Sequence, residues 1–147
     1  MKIIIGGRYE FDNQTDIIGR GGMGTVYRGH DTQNGNTVAI KQLKPDLLDD
    51  AFISRFMREA EVMRRLNHPH ILTVYNTISN EDEGHYLVME YIGNGSLWDE
   101  LQAYPKLPIP RILTLAQSLA SALMVVHEQG IIHRDIKPAN VLIADDA

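Results

Sequence analysis

The sequence predicts an α+β fold, with a mostly stranded first half and a helical second half. Three observations carry this. Short apolar, β-branched runs bounded by turn residues recur five times before position 93. One stretch among them, Ala51 to Leu66, has helical periodicity, and after Gly93-Asn94-Gly95 the apolar residues recur at helical spacing. The 147 residues amount to about one domain, and 44% hydrophobic with 22% charged residues is an ordinary globular composition. With 14 basic against 19 acidic side chains and no basic tract, the chain lacks the dense positive surface that non-specific nucleic-acid or anionic-membrane binding needs. Zero cysteines exclude a disulfide scaffold, a thiolate zinc site and a cysteine nucleophile together. No apolar run of spanning length and no signal peptide is read, so a cytoplasmic chain without a membrane segment in 1–147 is expected.

Met1 to Arg8 reads as an N-terminal extension. Tyr9 to Gly19 and Thr25 to His30 are strands flanking a glycine cluster. Thr37 to Leu43 is a third strand, set off by the Asn34-Gly35 hairpin signal. On the helix Ala51 to Leu66, Phe56, Met63 and Leu66 fall within about 40° of Phe52, which predicts a buried stripe. Glu59 lies inside that stripe and so demands a cationic partner; Glu61 lies on the wet side and demands none. Ile71 to Ile78 and His85 to Ile92 are two further strands joined by a solvated acidic tip, which completes five antiparallel strands. Ser96 caps a short helix through Gln102, with Asp99 favouring the helix dipole. Arg111 to Gln129 is a core helix stopped by Gly130. Ile131 to Asn140 is a polar loop, Val141 to Ile143 a short strand, and Asp145-Asp146 the turn after it.

Gly19-Arg20-Gly21-Gly22-Met23-Gly24 fits G-x-G-x-x-G. A dinucleotide-binding fold needs a helix to start there, but Thr25-Val26-Tyr27-Arg28 is a strand pattern. The glycines therefore sit at a hairpin tip, where missing side chains let backbone N–H groups approach phosphate oxygens. The next strand carries Val38-Ala39-Ile40-Lys41, and near the end stands His133-Arg134-Asp135-Ile136-Lys137-Pro138-Ala139-Asn140. In this order, from about Tyr9 to Asp146, these motifs resemble the protein kinase family; the arrangement of Asp135, Lys137 and Asn140 looks like its serine/threonine members, and Gly21 to Tyr27 looks like its bacterial branch.

That resemblance implies a protein-kinase-like architecture: an extension at 1–8, a five-stranded small lobe with one helix and a hinge at 9–92, and the start of a helical large lobe at 93–147. It implies ATP and Mg²⁺ as cofactors and a protein Ser/Thr hydroxyl as acceptor. Gly19, Gly21, Gly22 and Gly24 would cover the phosphates, and Lys41, paired with Glu59, would hold them. Asp135 would be the catalytic base, Lys137 would neutralise charge on the moving phosphoryl group, and Asn140 would be a metal ligand. Ile18, Val26, Ala39 and Leu142 would wall the adenine slot, Met89 would be its gatekeeper, and Glu90 and Ile92 would read the base edge. A plain core role for the four wall residues is equally consistent with the residues alone. His133 is expected to pack in the core, and Arg134 to suit a phosphorylated activation loop, which is not found in these residues.

The family's D-F-G motif, with its second metal ligand, is not found in these residues, so the chain reads as truncated before it. The expectation is a serine/threonine kinase by lineage that transfers phosphate poorly on its own. The other reading open at this point is a nucleotide- or partner-binding module without chemistry.

Overall fold

The computed structural model describes residues 1–144, and the turn expected at Asp145-Asp146 lies outside them. The chain divides into two compact units, Met1–Asn67 with Leu72–Tyr91, and His68–Ile71 with Ile92 to the end.

The first unit is built on β1 (Lys2–Ile5), β2 (Tyr9–Asp12), β3 (Ile17–Arg20), β4 (Gly24–Asp31), β5 (Thr37–Leu43), β6 (Val74–Asn80) and β7 (Gly84–Glu90), with α1 (Asp50–Arg64) between β5 and β6. The antiparallel sheet runs β1-β2-β4-β5-β7-β6, and β3 also pairs with β4. Seven strands thus stand where five were expected. The run Tyr9 to Gly19 splits because Asp12 closes a turn: its Oδ1 accepts from the N–H of Gln14 (2.8 Å) and Thr15 (3.1 Å). These donors and the N-terminal ammonium hold its carboxyl down at about 2, the Gln14 N–H foremost. The supposed extension is also strand, with Ile3 opposite Phe11 and Ile5 opposite Tyr9.

Alternation along the strands sorts two clusters. Ile5, Tyr9, Phe11, Tyr27, Val38, Ile40, Ile78, Tyr86 and Val88 form one, so residues from opposite edges, β1 and β6, meet and the sheet curls. The Gly6 N–H donates to Glu83 Oε2 at the β6–β7 tip (2.9 Å), which closes the curl from the polar side. Leu43 and Leu87, on the other sheet face, pack against Ile53, Met57 and Ala60 of α1. The buried stripe of α1 is therefore Ile53, Met57 and Ala60, rotated by about 100° from the expected one. Phe52, Phe56, Glu59 and Met63 are half-buried beside it. Glu61 is not idle on a wet face: it accepts from Thr77 Oγ1 and pairs with Arg64 (3.6 Å).

The second unit holds α2 (Leu97–Ala103) and α3 (Ile109–Glu128), followed by a 3-10 turn at Pro138–Asn140. Ser96 and Asp99 form a reciprocal capping box on α2. Arg111 of α3 grips Glu100 of α2 with two hydrogen bonds (3.2 and 3.0 Å). Gly130, at φ 75°, adopts the left-handed conformation that ends α3. The expected core helix is mostly uncovered: Ala122 and Val126 are buried, whereas Ile109, Ile112, Leu113 and Met124 are exposed. Against the expectation of no run of spanning length, α3 is long and apolar enough by length and composition to cross a membrane. The strand expected at Val141–Ile143 is only a single bridge, Leu142 to Ser96, because a second strand for it to extend along is not formed by the residues around Ser96.

Candidate active site

On β5, Val38 and Ile40 enter the inner cluster, so Ala39, Lys41 and Leu43 face the side on which α1 packs. Register sets Val26, Lys41 and Leu87 in one row across β4, β5 and β7, and Ala39 beside Met89 in the next. Directly opposed residues share a sheet face. Val26, Ala39, Lys41 and Met89 therefore lie together on one face. The Lys41 Nζ stands 5.6 Å from the centroid of the Phe56 ring on α1, a cation–π distance. Glu59 is half-buried three residues further along that helix.

The glycine cluster forms the β3–β4 hairpin, and no helix grows from it. Gly19 opposes Val26, and the Gly21 N–H donates to the Gly24 carbonyl (2.9 Å). The glycines have two different reasons to be there. A β-carbon on Gly24 would stand 2.0 Å from the Gln42 carbonyl oxygen, so this glycine lets β4 and β5 approach. A β-carbon on Gly21 or Gly22 would meet nothing within 4 Å, so these leave the tip bare.

Other expected slot residues are placed less tightly. Ile18 sits at the register shift between Ile17 and Gly19 and is half exposed. The Glu90 N–H is engaged with the Thr73 carbonyl (2.9 Å), so that donor is not available to a base edge. Ile92 and Leu142 belong to the second unit, where Leu142 is exposed.

In that unit the loop before the 3-10 turn draws three expected residues together. Asn140 Nδ2 donates to both the Asp135 carbonyl (2.9 Å) and Asp135 Oδ2 (3.1 Å), and Lys137 Nζ lies 3.5 Å from the same Oδ2. The turn makes this possible, since the Asn140 N–H returns to the Lys137 carbonyl (2.9 Å). The Asp135 side chain is 63% exposed and so accessible to a hydroxyl. With Nδ2 committed to Asp135, the other polar atom of Asn140 is a carbonyl oxygen, a donor suited to a hard cation. His133 is exposed, not core, and its Nδ1 accepts from the Asp135 N–H (3.2 Å).

Two features escaped the sequence reading. Arg134 has φ 68°, and among the described residues it is the one non-glycine in the left-handed region, strain that sits immediately before Asp135. Nothing in the sequence marks it. Lys44, which the sequence does not single out, bonds the glycine hairpin: its N–H donates to the Met23 carbonyl (3.0 Å) and its Nζ to the Gly21 carbonyl (3.3 Å). Strand parity ceases to apply there, because Lys44 directly precedes the 3-10 turn at Pro45. The proline was the available signal.

Residues 13–147 match the family model described as protein kinase domain. The chain is 43% identical over 143 residues to a probable serine/threonine-protein kinase of Streptomyces coelicolor, covering 95% of this chain and 21% of that one. It is 39% identical over 141 residues to the serine/threonine-protein kinase PknB of Mycobacterium leprae (93% and 22%). It is also 39% identical over 140 residues to the serine/threonine-protein kinase PrkC of Bacillus subtilis (95% and 21%). A crystal structure of Rad53 residues 1–466 in complex with AMP-PNP is similar at a TM-score of 0.78 and 30% identity, over 90% of this chain and 34% of that one. The chain thus spans about a fifth of the length of these curated relatives.

Proposed function

The chain belongs to the protein kinase domain family, and from that premise we propose that it serves transfer of the ATP γ-phosphate to a serine or threonine hydroxyl of a protein. The observation that carries this reading is the Asp135–Lys137–Asn140 cluster, since a module that only binds has no need of a carboxylate so held. Asp135 accepts or orients the proton of the attacking hydroxyl. Asn140, bonded to both its backbone and its carboxylate, fixes where that carboxylate stands. Lys137 places positive charge where negative charge develops on the transferred group. In the first unit Lys41 supplies an ammonium for the phosphates, steadied by Glu59, and the bare hairpin tip supplies backbone N–H groups. Val26, Ala39 and Met89 present an apolar face of the kind a purine takes, and Ile18 and Glu90 belong to the same unit.

Among the described residues no group of three or more His, Asp or Glu side chains is placed to hold a metal ion unaided. Asn140 Oδ1 would be a ligand for a magnesium ion that arrives with the phosphates, since a carbonyl oxygen suits a hard cation. When bound, the ion neutralises phosphate charge.

Thermal unfolding with and without Mg·ATP tests the nucleotide part: the wild-type midpoint should rise, and Lys41→Met should abolish the rise. Phosphate transfer from [γ-³²P]ATP to a Ser/Thr peptide tests the chemical part. Asp135→Asn should keep the thermal shift and lower transfer by at least about 100-fold. A wild-type chain indifferent to ATP, or measurable wild-type transfer that Asp135→Asn leaves unchanged, overturns the reading.

A further inference from the structure

Lys44 holds the hairpin at two points that flank Gly22. Its backbone N–H takes the Met23 carbonyl (3.0 Å), extending the β4–β5 ladder one step past the Gly24 and Leu43 pair. Its Nζ takes the Gly21 carbonyl (3.3 Å). The Gly21 N–H already closes the hairpin on Gly24, so the ammonium ties down the remaining polar group of Gly21. This matters because the glycines at the tip offer no side-chain restraint of their own. Gly21 and Gly22 carry no side chains, nothing lies where a β-carbon would stand, and glycine has the most conformational freedom to lose on being ordered.

We infer that Lys44 is a positioning residue that braces the glycine hairpin in the arrangement that receives a polyphosphate. This rests on the nucleotide reading given above and names a device within the same site. Lys41 and Lys44 divide the labour by position, one within β5 and one just past its end. Lys41 lies on the face shared with Val26 and Met89, whereas Lys44 reaches the hairpin from beyond the end of β5. A tie made before the ligand arrives lowers the ordering that binding must supply, and a positive charge at the tip favours an incoming anion. The contact is between an ammonium and a main-chain carbonyl, so any long cation restores it and a neutral side chain of equal length does not.

Two measurements on the full chain separate the brace from the nucleotide reading. Amide hydrogen exchange without nucleotide should show faster exchange, about tenfold, across residues 20–24 in Lys44→Met, with α1 and β7 unchanged and Lys44→Arg close to wild type. In titrations with a fluorescent ATP analogue, Lys44→Met should weaken binding by about 3- to 10-fold while leaving the AMP analogue unaffected, and Lys44→Arg should restore most of the loss. Unchanged exchange at the hairpin overturns the inference whatever the nucleotide does. So does equal weakening for the ATP and AMP analogues, which marks a general structural defect. Faster hairpin exchange in Lys44→Met together with a wild type that binds neither analogue keeps the brace and overturns the nucleotide reading instead.

Discussion

The glycines of the hairpin look alike in the sequence and differ in the structure. At Gly24 a single added methyl would meet the Gln42 carbonyl oxygen at 2.0 Å, and the neighbouring atoms are backbone, which cannot swing aside. Gly24→Ala is expected to destabilise the first unit by about 3 kcal/mol or more, the upper end for overpacking. Gly22→Ala, with open space around the added group, should stay within about 0.5 kcal/mol of wild type. Urea midpoints of the two variants check this, and similar values for both would show that close approach of β4 and β5 is not what Gly24 serves. The same contrast shows what was legible. That the glycines lie on a hairpin followed from the strand pattern of Thr25 to Arg28. Which of them is sterically obligatory did not, because that depends on Gln42, a residue 18 positions further on.

Elements were legible wherever their signals were local. The strand Thr37–Leu43 was read at its observed bounds because a turn flanks it and most of its residues are β-branched or apolar. The rotation of α1 was misread because the helix carries two overlapping apolar stripes. Burial was decided by what Leu43 and Leu87 could reach, and the small Ala60 gave little signal of its own. Strand β1 was missed for a similar reason. Three isoleucines before two glycines are too short to announce a strand, and the partner that makes them one lies across a turn. Residues 1–12 precede the family match, yet Ile5 is 1% exposed in the inner cluster. Ile5→Ala should therefore cost about 2–5 kcal/mol, the range for a large-to-small change in a core. A loss below about 1 kcal/mol in urea unfolding would return β1 to the status of an appendage.

At the scale of the whole chain, acid stability has a nameable source. Arg8 binds the buried Asp31 through two hydrogen bonds, Nε to Oδ1 (2.8 Å) and Nη2 to Oδ2 (2.6 Å), which joins the turn before β2 to the end of β4. The Arg8 hydrogen bond holds the Asp31 carboxyl below its ordinary value, against the opposing effect of burial. A carboxyl lowered in the folded state contributes its full stability above the unfolded value of about 3.9, and loses it as pH falls through the lower folded value. Asp31→Asn should be less stable than wild type at pH 7, with the two curves converging below about pH 4. Urea midpoints measured from pH 7 to pH 2 decide this, and parallel curves would exclude the pair as the source. The carbonyl of Asp31 also accepts from the Gly35 N–H (2.7 Å), within a turn where Gly35 has φ 75° and the Asn36 N–H returns to Asn34 Oδ1 (2.9 Å). That turn sets the phase of β5. Adding or deleting one residue there would invert the ribbon, burying Gln42 where Lys41 belongs and turning the ammonium toward the tyrosines of the inner cluster. The length of one short surface loop is thus as binding on the chemistry as the identity of the lysine.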